Sequence, residues 1–208
     1  MEQKHRDAFI RSYRTMDSSE QSERARKMAL HFAAAFSFRV GASSALKSTS
    51  GVLLPPIGHY YSLFHMSMVL CWLNPLIDTK KLERIRHSTL KGLIETYYCS
   101  KGILNQSFFD LMNELQEERE WLNYRFGEFP YDFKNKVLGN EQKINREFKV
   151  AIDIVKEVDN ATAKDANLLS YIQRSIGDSF GDDVLNTYLS AAESGKVWDA
   201  FLHHQLTT

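Results

Sequence analysis

Little in this sequence would staple, kink or charge the chain. Its 208 residues include two cysteines, four prolines and ten glycines, and 26 Lys and Arg are balanced by 26 Asp and Glu. Two cysteines cannot build a disulfide framework. Cys71 and Cys99 both lie in apolar helical runs, the setting of buried, reduced thiols. Neither they nor the histidines follow a zinc-ligand spacing, so no metal is expected. Zero net charge supplies no overall field to draw the chain to nucleic acid or anionic lipid, so any such binding must come from a local patch. No stretch reads as a membrane span: the most apolar one, His59–Leu73, is too short and is interrupted by His65. The opening Met1-Glu2-Gln3-Lys4-His5-Arg6 has no apolar run behind it and does not read as a secretory leader, which points to a cytoplasmic protein with no membrane partner. Period-two alternation and Asn-Gly or Asp-Gly turns between apolar runs are scarce, which argues against sheet. There is no glycine-rich phosphate loop, no nucleophile elbow and no carboxylate pair with a metal motif, and no cofactor is expected.

What is present is helical periodicity. Hydrophobic residues make up 43% and charged residues 25%, the balance of an ordinary globular protein. The expected fold is all-α. Prolines 55, 56, 75 and 130 are read as lying in connections, leaving the helices unbroken. A short helix is predicted over Arg6–Arg14 and a long one over Ser22–Leu46, the latter with Ala25, Met28, Ala29, Phe32, Ala33 and Phe36 at i, i+3, i+4 spacing. His59–Leu73 is apolar around most of its circumference, with Tyr61, Phe64, Met68 and Cys71 on one face and Tyr60, Leu63 and Leu70 on another. Such a helix belongs at the centre of a bundle. Ser88–Ser100 should follow, ended by Lys101-Gly102 in a left-handed cap. Ser107 and Asp110 have the spacing of a capping box at the head of a helix that buries Phe108, Leu111, Met112, Leu115 and Leu122 and is stopped by Gly127 and Pro130. Beyond it, Glu141–Val158, Asp165–Ile176, Asp183–Ala192 and Val197–His204 have helical patterning, punctuated by Gly139, Gly177, Gly181 and Gly195.

Three blocks of this chain carry a family resemblance. Tyr60-Tyr61-Ser62-Leu63-Phe64-His65 resembles the Tyr-Tyr-x-x-Phe-His signature that opens the second helix of HEPN domains. His87-Ser88 and the apolar helix to Tyr98, followed by Lys101-Gly102-Ile103-Leu104, are similar to that family's next segment. Leu115, Arg119, Asn123 and Tyr124 resemble its last block. HEPN domains are helical bundles, often dimeric, found in RNA-cutting toxins, their inactive relatives and prokaryotic defence systems. The resemblance implies a HEPN-like bundle over residues 1–135 with a helical extension over 136–208 packed on it.

Active HEPN ribonucleases place a His after an Arg, with four to six residues between the two. Their cleavage needs no metal: the imidazole moves the proton and the guanidinium stabilises phosphate charge. Arg119 fits the first position, but Tyr124 stands where the His belongs, and a phenol titrating near pH 10 is a poor base at neutral pH. The expected function is therefore a non-catalytic binding or scaffolding component of a toxin–antitoxin or antiviral-defence system. It is expected to be homodimeric through the Arg119 helix, and to have RNA, a nucleotide or a neighbouring gene's product as partner. Two alternatives stay open. One is a metal-independent endoribonuclease with Arg119 as phosphate clamp and a displaced His87 or His65 as acid/base, and the other is an adaptor with no nucleic-acid role. Otherwise His65 reads as a hydrogen-bonded core histidine and His87 as a residue at a helix N-terminus that attracts phosphate. Lys80, Lys81, Arg84, Arg86, His87 and Lys91 form the local basic patch that could bind nucleic acid, opposed in their own segment by Glu83. Its bland reading is a solvated segment paired with Glu114, Glu117, Glu118 and Glu120. Arg24 and Arg26 precede His31 at motif-like spacings, but in a helix whose cations read as surface residues with snorkelling stems.

Overall fold

The structure is a computed structural model that describes residues 3–46, 54–124 and 133–162. These residues form helices α1 (Gln3–Arg14), α2 (Ser18–Leu46), α3 (Leu54–Leu73), α4 (Thr79–Glu83), α5 (His87–Ile94), a π-helical turn (Glu95–Cys99), α6 (Gln106–Tyr124) and α7 (Phe133–Thr162), with no strand among them. The all-α expectation holds.

The apolar α3 lies at the centre, packed on α2, α4, α5, α6 and α7. Met66, Val69, Leu70, Cys71 and Leu73 on it are fully buried. It starts earlier than its periodicity suggested, because Pro55 and Pro56 form part of its first turn and not a connection. Amides in that turn have no intrahelical acceptor, so proline loses no bond there. α2 runs antiparallel along α3, bringing His31 beside His65 and Phe38 beside Tyr61. Gly58 marks their closest approach: a Cβ there would sit 2.9 Å from both the Ala42 Cβ and the Phe38 carbonyl oxygen.

Arg24 departs from the surface role read for it. It is buried, and its guanidinium donates to the carbonyls of Trp72 (3.2 Å), Asn74 (3.1 Å) and Ile77 (2.8 Å) while pairing with Glu20 at 2.7 Å. It thereby caps the C-terminal end of α3, where carbonyls lack helical donors and a cation suits the dipole. Arg26 is exposed.

Three local readings change. The helix beginning near residue 88 passes into the π-turn, closed by a 2.9 Å bond from the Ser100 amide to the Glu95 carbonyl, before Gly102 turns left-handed at φ 62° as expected. Tyr98 in that turn is buried, its hydroxyl donating to the Leu70 carbonyl. Ser107 does not cap α6; it lies inside the helix and donates to Glu147 at 3.1 Å. Gly139 does not punctuate, because α7 runs through it. The helix cost of one glycine, about 1 kcal/mol, is outweighed by burial of Val137, Ile144, Phe148, Ala151, Ile152 and Val155.

α7 packs on α3 and α1. The boundary anticipated at 135/136 falls in its first turn, and the helices anticipated beyond residue 162 lie outside the described residues. Among the described residues no helix is long and apolar enough to cross a membrane.

Candidate nucleic-acid interface

Residues 60, 61, 64 and 65 of α3 lie where α2, α5 and α6 meet it. Phe64 was expected in the deep core, but Tyr61, Phe64 and His65 are only partly buried, and together with buried Tyr60 they form an aromatic surface. Phe64 packs its ring edge on Tyr61 and His65, with centroids 6.5 and 5.4 Å away.

Two of the anticipated site residues converge on Tyr60. Arg119, from α6, sets its guanidinium carbon 4.7 Å from the Tyr60 ring centre and 6.0 Å from that of Tyr61, in cation–π geometry. One of its amino groups lies 3.5 Å from the Tyr61 hydroxyl and the other 3.6 Å from the Glu120 carboxylate, while its Nε is buried without a partner. His87, the first residue of α5, shares a short hydrogen bond between its Nδ1 and the Tyr60 hydroxyl, and its ring lies 4.6 Å from that of Phe64. Burial, then the neighbouring Arg119 charge, lower the His87 pKa against a smaller opposite pull from Glu120. Burial raises the Tyr60 phenol to about 12, against Arg119. Both groups are therefore neutral near pH 7. If the phenol accepts Nδ1–H, the imidazole Nε2 is left as a base; if the phenol donates, Nε2–H is left as a donor.

His65 is hydrogen-bonded, as expected, but its partner is His31 on α2, with the two Nδ1 atoms 2.9 Å apart. Burial first, and for His31 also the charges of His65 and Lys27, bring both pKa values to about 4. One ring donates and the other accepts. Phe38 stacks over His65 with ring centres 5.6 Å apart and planes 8° from parallel, and over Tyr61 at 5.2 Å and 27°. Nothing pairs His65 with Arg119.

The basic segment borders this surface through His87. Lys80, Lys81, Arg84 and Arg86 are exposed and form no ion pair with a described residue. Lys91 is partly buried and donates to Asn113 at 2.8 Å. Arg86 precedes α5 without capping it by its side chain, so no side chain caps the first-turn amides. Two acidic residues of α6 face elsewhere: Glu114 pairs with Lys143 at 2.8 Å, and Glu118 pairs with Lys136 at 3.0 Å and accepts from Asn140. The pairing read between that acidic run and Lys80–Lys91 is thus replaced, for those two residues, by pairing with α7. Tyr124 closes α6, and its side chain lies outside what is described.

Sequence reasoning missed His31 as the partner of His65, and missed Phe38 altogether. Phe38 did carry a signal, since it lies off the phase of buried Phe32 and Phe36 on the same helix. No group of three or more metal-ligating side chains occurs among the described residues. Comparison with protein-family models, curated proteins and solved structures gave no match to this chain.

Proposed function

We propose that this chain is a HEPN-like, non-catalytic cytoplasmic protein that binds RNA through Lys80, Lys81, Arg84, Arg86 and the adjoining His87–Tyr60–Arg119 cluster. It would act as the binding or scaffolding component of a toxin–antitoxin or antiviral-defence system, with a neighbouring gene's product as a candidate protein partner. The kinship rests on the three sequence blocks. The observation that carries the binding reading is that His87 belongs both to the unpaired basic segment and to the aromatic cluster holding Arg119. The non-catalytic part of the reading rests on Tyr124 standing where the resemblance expects a His. RNA affinity measured across salt tests the reading, because each neutralised phosphate of a single strand adds about 0.7 to the log–log slope. Replacing Lys80, Lys81, Arg84 and Arg86 by Gln should flatten that slope, and an unchanged slope would clear the segment of any role.

One observation favours a second reading, a metal-independent endoribonuclease: an imidazole on the Tyr60 hydroxyl and a guanidinium over the Tyr60 ring share that one side chain. His87 Nε2 would take the 2′-hydroxyl proton, and Arg119 would neutralise the phosphate. RNA cleavage in the presence of chelator, lost on Arg119→Ala and on His87→Ala, would replace the first reading by this one. If RNA is neither bound nor cut, the adaptor reading is left.

A homodimer remains part of the proposal through the resemblance alone. On the Arg119 helix, Glu114 and Glu118 pair within the chain with Lys143 and Lys136, and Trp121 packs against Leu122 and Val137.

A further inference from the structure

Four large hydrophobic residues are exposed among those described, and Phe38, 38% exposed, is the aromatic one. Its ring stacks with those of Tyr61 and His65, which are one turn apart on α3. The rest of the ring reaches solvent. One turn along α2, Gly41 has no side chain, and a Cβ placed there would meet nothing within 4 Å. One turn back stands Ala34, another small residue. A flat ring backed by two others and partly exposed is a stacking platform, and its surroundings choose the occupant. Tyr61 joins it to the Arg119 guanidinium, and His65 followed by Phe64 joins it to His87 at the edge of the unpaired basic segment. An apolar protein surface would gain nothing from those cations, whereas an unpaired nucleobase attached to phosphates uses both features.

We infer that Phe38 is the stacking platform for an unpaired base of single-stranded RNA, with Arg119, His87 and the basic segment taking the flanking phosphates. This rests on the RNA-binding reading above and adds that the bound strand is single. A base in a duplex is stacked on its neighbours and cannot lie on the ring without being extruded, whereas any base of a single strand can, whatever its identity.

The test uses the full chain and a single-stranded oligoribonucleotide carrying 2-aminopurine, whose fluorescence falls on stacking. Wild type should quench it and should bind the matching duplex more weakly. Phe38→Ala should lose the quench and weaken single-strand affinity by about 5- to 100-fold, with the salt slope unchanged because no phosphate contact is lost. Phe38→Trp should retain both affinity and quench. Gly41→Leu, which favours the helix and covers the exposed part of the ring, should reproduce the loss with Phe38 in place, so a folding defect in Phe38→Ala cannot hide the answer. If both Phe38→Ala and Gly41→Leu bind and quench like wild type, the platform is refuted while salt-dependent RNA binding stands. If wild type binds neither strand form, both readings fall.

Discussion

Arg24 ties a single side chain to distant parts of the chain. It supplies donors to three carbonyls at the end of α3 and in the segment after it, from residues 48 to 53 positions away in sequence, so no local pattern contains it. Replacing it by Met fills the space but removes the donor from the Trp72 and Ile77 carbonyls, at about 1–3 kcal/mol for each one that water cannot reach, while the Asn74 carbonyl keeps the Ile77 amide at 3.1 Å. Urea unfolding of Arg24→Met should therefore show a loss of about 2 kcal/mol or more, and Arg24→Lys should recover only part of it. A loss under about 1 kcal/mol would mean that solvent reaches the α3 terminus. His59 is the opposite case. It is fully buried with neither ring nitrogen partnered, and burial, followed by the nearby Arg39, lowers its pKa to about 3. Its polarity contributes no bond, so His59→Leu should leave stability unchanged or raise it. A clear loss in the same unfolding assay would show that the imidazole has a partner.

Among the elements, α2, α3 and α6 were legible because long apolar stripes at helical spacing leave few alternatives. The early start of α3 was hidden by reading proline only as a breaker, and the π-turn by the fact that one extra residue barely alters periodicity. Part of the candidate site was legible for a related reason. The resemblance pointed to Tyr60, Phe64, His87 and Arg119 by residue type, but the same aromatic pattern gave Phe64 a deep-core role that its partial exposure corrects. Phe64→Ala should then cost less than the 3–5 kcal/mol of a buried Phe, about 1–2 kcal/mol, and, on the RNA-binding proposal, should lower affinity for RNA as well. The contact between α2 and α3 gives a sharper test. Gly58→Ala would ordinarily favour a helix by up to about 1 kcal/mol. Here the new methyl would lie 2.9 Å from a backbone carbonyl oxygen, so the two helices must separate. Overpacking of this kind costs about 1–3 kcal/mol, and net destabilisation on thermal or urea unfolding is expected. Unchanged or increased stability would show that α2 and α3 are not held at that distance.

At the scale of the molecule, the charges balance in number but not in placement: Glu114 and Glu118 of α6 pair with Lys143 and Lys136 of α7, while Lys80, Lys81, Arg84 and Arg86 are left to solvent. The histidines are distributed unevenly too, and this decides how the fold answers to acid. His31, His59 and His65 are held in packed surroundings at about 4, 3 and 4, below the ordinary value of 6.5. The groups facing them are Lys27 and the partner imidazole for the His31–His65 pair, and Arg39 with Glu141 for His59. Between pH 6.5 and about 4 the unfolded chain therefore binds protons at these positions that the folded chain does not, so stability rises with pH across that window. It is fully present above pH 6.5 and declines as pH falls towards 4. Glu141 adds to the loss lower down: burial raises its pKa, but Ser43 and Arg39 outweigh this and hold the carboxyl below its usual range. Urea midpoints should thus be flat from pH 8 to 7 and should fall steadily below 6.5. The triple variant His31→Leu, His59→Leu, His65→Leu should lose most of that slope above pH 4.5. A wild-type midpoint that stays constant between pH 7 and 5 would mean that these imidazoles are protonated in the folded state, and the neutral His31–His65 bond between α2 and α3 would then have to be abandoned.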